Sequence, residues 1–115
     1  MDATEKLEVR EGTTAEISMT LYGNDTAINL TSVDHVELNL RDSKNKIYRF
    51  SSDDGSPQVR IITAASGIVG YTPASTDLLA ARSPYKGYWW VWASSVSKYA
   101  CPEESEFEIT VRSEY

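Results

Sequence analysis

One histidine, one cysteine and seventeen acidic residues make up the chain's inventory for chemistry. A Ser/His/Asp or Cys/His nucleophilic centre could be built only around His35. It stands between Asp34 and Val36 near the start of a strand, on the face that reads as exposed, so a solvated surface histidine is the simpler reading. Cys101 alone excludes an internal disulfide and leaves a sulfur-rich metal cluster without ligands; it reads as an inert thiol. Asp53-Asp54-Gly55 and Glu103-Glu104-Ser105-Glu106 are the acidic clusters. Calcium needs roughly six to eight oxygens converging on one point, and neither cluster makes a recognised loop, so both read as solvated turns. Glycosidase-type carboxylate pairs cannot be singled out among so many acids. No zinc-protease helix, phosphate loop or dinucleotide fingerprint is present, since Gly67-Ile68-Val69-Gly70 has neither the spacing nor a helix after it. The residues therefore predict no catalytic group, no cofactor and no metal.

Aromatic chemistry is better represented. Gly87-Tyr88-Trp89-Trp90-Val91-Trp92-Ala93-Ser94-Ser95-Val96 holds all three tryptophans and reads as a long strand entered past Pro84. Alternation forces its two faces apart. If Tyr88, Trp90 and Trp92 point to the core, Trp89 and Val91 lie outside, and Trp90→Ala costs about 3–5 kcal/mol as a large core truncation. If Trp89, Val91 and Ala93 point inward, a Tyr-Trp-Trp stripe is left outside as a protein interface or a sugar-stacking surface. Bulk favours the first register. The candidate partner-binding residues are accordingly Tyr88, Trp89, Trp90 and Trp92.

Positioning this strand requires a sheet, and the rest of the chain supplies strands. Leu7 and Val9 alternate with Lys6, Glu8 and Arg10 in a short first strand, placed at an edge. Ala15, Ile17, Met19 and Leu21 alternate with polar residues, as do Val36, Leu38 and Leu40. Asp42-Ser43-Lys44-Asn45 predicts the turn of a hairpin into Lys46–Ser51. Val59–Ile62 and Gly67–Thr72 follow, the latter closed by Pro73. Ser75 caps one short helical turn through Ala81, and Pro84 ends it. Ser94–Ser97 turns into Lys98–Cys101, and Phe107, Ile109 and Val111 alternate in the last strand. The prediction is an all-β fold of about eight strands in two packed antiparallel sheets, with one helical turn near Ser75–Ala81.

At 115 residues, 41% hydrophobic and 24% charged, the chain fits one globular domain spanning residues 1–115. Its net charge of −6 repels phosphate backbones and anionic lipid, so nucleic acid is not an expected partner. No apolar run approaches the roughly 20 residues of a membrane helix, and Met1–Lys6 lacks the features of a signal peptide, which predicts synthesis in the cytoplasm without membrane insertion. Asn24-Asp25-Thr26 and Asn29-Leu30-Thr31 match the N-glycosylation pattern, and without a secretory signal they read as coincidental.

The order of elements carries a resemblance: paired strands around Val33–Phe50, then Gly67-Ile68-Val69-Gly70-Tyr71-Thr72-Pro73, a short helical turn, Pro84-Tyr85-Lys86-Gly87-Tyr88-Trp89-Trp90, and Phe107-Glu108-Ile109-Thr110-Val111. It resembles the immunoglobulin-like domains of tailed-bacteriophage virion proteins, especially the amino-terminal domain of baseplate upper proteins. The resemblance covers most of residues 14–112 and implies an immunoglobulin-like β-sandwich. It further implies a non-enzymatic tail, baseplate or neck component, assembled into the virion beside other virion proteins as a symmetric homo- or hetero-oligomer. Its glycine-variable-aromatic spacing aligns Gly87 with Trp89 and favours the second register, against bulk. A carbohydrate-binding module that stacks a glycan on exposed tryptophans is the alternative function.

Overall fold

Strands account for most of the computed structural model, which describes residues 6–23, 26–101 and 107–113. In chain order they are β1 (Lys6–Arg10), β2 (Ile17–Thr20), β3 (Tyr22–Gly23), β4 (Thr26–Ala27), β5 (His35–Arg41), β6 (Ile47–Ser51), β7 (Val59–Thr63), β8 (Ile68–Tyr71), β9 (Tyr85–Trp92), β10 (Lys98–Cys101) and β11 (Phe107–Arg112). The larger sheet runs β1-β11-β9-β5-β6, with β10 also paired to β9; the smaller runs β2-β8-β7, and β3 and β4 form a two-stranded pair. All-β architecture is as predicted. The eleven strands among the described residues exceed the predicted eight because short pairs such as β3–β4 carry no periodicity that a sequence window can detect.

One pairing departs from the expectation of purely antiparallel sheets. β1 takes the edge as predicted but runs parallel to β11, with Leu7 opposite Ile109 and Val9 opposite Val111. Parallel neighbours need a long connection, and here nearly the whole chain provides it.

The inner faces of the two sheets meet in one core. Ile17 and Met19 of β2, Val59 of β7 and Val69 and Tyr71 of β8 are buried from one side; Val36, Leu38 and Leu40 of β5, Tyr85, Trp89 and Val91 of β9, and Phe107, Ile109 and Val111 of β11 are buried from the other. Each large side chain stabilises the fold by about 1.5–3 kcal/mol through burial. Trp89 Nε1 donates to Met19 Sδ at 3.0 Å, and the Phe50 and Tyr71 rings lie 5.0 Å apart, so contacts cross the interior at two places. Ala15, expected on the inner face, is exposed, since β2 begins only at Ile17.

Gly87 lies where three elements converge. A Cβ there would stand 2.7 Å from Leu40 Cδ2, 2.8 Å from Phe107 Cζ and 2.9 Å from the Asn39 carbonyl, so only glycine lets β5, β9 and β11 approach this closely. The β5–β6 hairpin turns with Asn45 at φ 67, and Asp42 Oδ1 accepts the Lys44 and Lys46 amides at 2.9 and 3.0 Å.

The predicted helical turn takes another form. Residues 75–77 make a turn and Ala80–Arg82 a 3-10 helix whose cap residue is Leu79, without a side-chain capping bond; a second 3-10 turn lies at Ala64–Ser66. Asp77, rather than Ser75, organises the segment. Its Oδ2 accepts the Ala74 amide at 2.8 Å, Gln58 Nε2 at 2.6 Å and the Tyr71 hydroxyl at 3.1 Å. A carboxylate that collects three donors outweighs a hydroxyl cap.

Candidate functional site

β9 sets the register that the sequence left open. Tyr85, Gly87, Trp89 and Val91 are buried, while Tyr88, Trp90 and Trp92 lie half-buried on the outer face of the larger sheet. The second register holds for Trp89 and Val91 but not for Ala93, which is exposed because the strand ends at Trp92 and does not run on to Val96; bulk misled because Trp89 with Leu38, Val91 and Met19 already fills the interior. Of the four candidate binding residues, three share the outer face. Trp89, at 0% exposure, does not: its ring belongs to the core.

Pairing builds rows across the outer face. β5 places His35 opposite Trp92, Glu37 opposite Trp90 and Asn39 opposite Tyr88; β10 places Lys98 opposite Trp92 and Ala100 opposite Trp90. The rings stack in sequence along the strand. His35 lies against Trp92 with centroids 5.2 Å apart and planes 16° from parallel. Lys98 Nζ sits 4.2 Å from the Trp90 centroid and 4.8 Å from that of Trp92, while Tyr88 meets Trp90 edge-on at 5.5 Å. Such cation–ring contacts are worth about 0.5–1 kcal/mol when exposed. The Trp92 indole N–H is buried and finds no acceptor among the described residues.

His35 is therefore not the solvated surface histidine that alternation predicts. Its side chain is 13% exposed, because the half-exposed face of β5 is roofed by the rings of β9. Nδ1 lies 2.6 Å from Asp34 Oδ2 and 3.7 Å from Asp53 Oδ2. The Ser51 hydroxyl donates to Asp53 and holds its carboxyl below the usual range; partial desolvation opposes this and His35 adds to it. Asp34, His35 and Asp53 bring three potential ligand atoms within 4.8 Å of one another. These are the residues that could hold a metal ion among those described, and as they stand Asp34 hydrogen-bonds the imidazole while Asp53 lies just beyond hydrogen-bond distance of the same nitrogen. Asp53 thus joins this site, whereas Glu103–Glu106 and the Cys101 side chain lie outside the described residues.

Polar groups complete the face. Asn39 is buried, donating Nδ2 to Glu37 at 3.1 Å and accepting Arg49 Nε at 3.2 Å. Where the hairpin ends, Asp42 is 3% exposed. Burial pushes its carboxyl up, but the Lys46 and Lys44 amides, the Tyr48 hydroxyl and Arg82 more than offset that and hold it at about 2.

His35, Glu37 and Asn39 were within reach of the sequence as one face of β5. Their placement beside the aromatic stripe was not, because it depends on which strand pairs with which. The chain matches no protein-family model and no curated protein.

Proposed function

We propose that this chain is a non-enzymatic structural or adaptor module, of the immunoglobulin-like kind carried by tailed-bacteriophage virion proteins. It works by packing the outer face of its larger sheet against neighbouring subunits of the particle. Strand order supports the fold part of this reading. Two sheets ordered β1-β11-β9-β5-β6 and β2-β8-β7, facing each other across one core, are what such a sandwich would require. Tyr85 adds to it: at the start of β9 its hydroxyl donates to the Asp77 carbonyl at 3.2 Å and accepts the Leu79 amide at 3.1 Å, the bonding of a tyrosine corner.

The observation that carries the functional part is the half-exposed stripe of Tyr88, Trp90 and Trp92 on a sheet face otherwise lined by polar groups. Aromatic residues with polar neighbours are what buried interface centres are made of. Sugar stacking needs a free ring face, and Lys98 would have to leave Trp90 and Trp92 to provide one. Light scattering tests the proposal: the unaltered chain forms a defined oligomer, and Trp90→Glu disperses it while thermal unfolding stays cooperative. A strict monomer at millimolar concentration, unaffected by the substitution, rules out packing between copies.

A further inference from the structure

The chain's one histidine sits between two carboxylates that separate elements bring to it. The Ser52 amide donates to the Val36 carbonyl at 2.9 Å and the Val36 amide to the Ser52 hydroxyl at 3.0 Å, so the turn carrying Asp53 is fastened beside His35. Asp34 is held from β9, its amide donating to the Trp92 carbonyl at 2.7 Å. The three side chains differ in freedom. Those of Asp34 and Asp53 are 48% and 60% exposed and have room to rotate, whereas the imidazole is 13% exposed and stacked on Trp92.

Spacing and chemistry both suit a metal ion. Ligand atoms bound to tetrahedral zinc at roughly 2.0–2.1 Å stand about 3.4 Å from one another. From His35 Nδ1, Asp34 Oδ2 at 2.6 Å lies a little inside that spacing and Asp53 Oδ2 at 3.7 Å a little outside it, so small rotations of two exposed carboxylates reach it. The Ser51 hydroxyl donates to Asp53 Oδ1 and leaves Oδ2 for the ion, as outer partners do for carboxylate ligands. A second observation comes from the ring stacked on this imidazole: the Trp92 indole N–H is buried without an acceptor among the described residues. An oxygen carried by a bound ion is an acceptor of the kind it lacks. One imidazole nitrogen with two carboxylate oxygens suits zinc and its first-row neighbours, whereas calcium needs roughly six to eight oxygens.

We infer that Asp34, His35 and Asp53 bind a divalent first-row transition-metal ion, zinc being the representative, at one end of the aromatic stripe. Nδ1 coordinates through its lone pair while the ring keeps a proton on Nε2, and each carboxylate coordinates through Oδ2. Two carboxylates balance the charge of the ion, and three protein ligands leave a coordination position for water or an outside ligand. The inference does not depend on the outer face packing against another subunit.

Isothermal titration calorimetry tests it, with the full chain stripped by chelator and titrated with zinc chloride. One equivalent should bind saturably, and Asp53→Ala should weaken the affinity by about tenfold or more. Asp53 is exposed, so that variant should keep the metal-free thermal midpoint. His35→Ala should abolish binding; it also removes the stack on Trp92, and Asp53→Ala keeps the test open should it fail to fold. Nitrogen NMR of the unaltered chain gives a second readout, since zinc on this site shifts the His35 Nδ1 resonance and zinc on other acids leaves it in place. Cys101→Ser removes the one thiol and should leave binding unchanged. Absence of saturable binding, an affinity unchanged by His35→Ala or by Asp53→Ala, an unmoved Nδ1 resonance, loss of binding with Cys101→Ser, or equal affinity for calcium overturns the inference.

Discussion

The two faces of β9 use the same residue type for opposite ends. Inward, Trp89 is wholly enclosed and bridges to Met19 of the other sheet; outward, Trp90 and Trp92 share one lysine and stay half-exposed. The inner ring is held by shape, since close packing leaves no room for rearrangement. The outer rings are held by a cation and an imidazole, contacts that water and salt can weaken. Energy for folding therefore sits on one face, and the capacity to bind sits on the other.

The largest test of that division is Leu38→Asp. Leu38 pairs with Trp89 and is fully buried, so an unpaired carboxylate there abolishes cooperative thermal unfolding, as read by circular dichroism. An unchanged midpoint would mean that the faces are reversed. Next comes the tryptophan pair itself. Trp89→Ala costs about 3–5 kcal/mol in urea denaturation, as large core truncations do. Trp90→Ala, which the inward register would have made equally costly, should cost less than about 1.5 kcal/mol, the ring and cation contacts being its main loss. Equal costs would erase the distinction.

The last test is a change in slope with pH, and it contrasts two carboxylates, Asp42 in the hairpin and Asp53 beside His35. Asp42 has its folded pKa depressed to about 2, so the stability it contributes is present above its unfolded value near 4 and is lost as pH falls through 2. Asp42→Asn should therefore flatten the loss of stability between about pH 4 and pH 2. Asp53, exposed and held down mainly by one serine, should change that acid limb far less when replaced by asparagine. An acid limb unaltered by Asp42→Asn would show that the hairpin carboxylate does not govern it.

Much of the fold was legible because it is local. Period-two alternation in Val36-Leu38-Leu40 and in Phe107-Ile109-Val111 reports burial directly, and both inner faces came out as read. The hairpin turn was legible for the same reason, since Asn45 supplies the positive φ and Asp42 the local bonds. The helical turn was misread because Ser75 resembles a cap, whereas the donors that decide the segment gather on Asp77, one of them from Gln58 on the far side of β7 and β8.

What the sequence determined by itself was that strands form, which stretch is central, and that Tyr88, Trp90 and Trp92 must share a face opposite Trp89. Which of those faces points inward was left to tertiary structure, because alternation is symmetric and only the cavity between the sheets distinguishes its two solutions. The same holds for His35 and Lys98. Their neighbours come from strands up to several dozen residues away, and no spacing along the chain encodes a pairing that only the folded sheet creates.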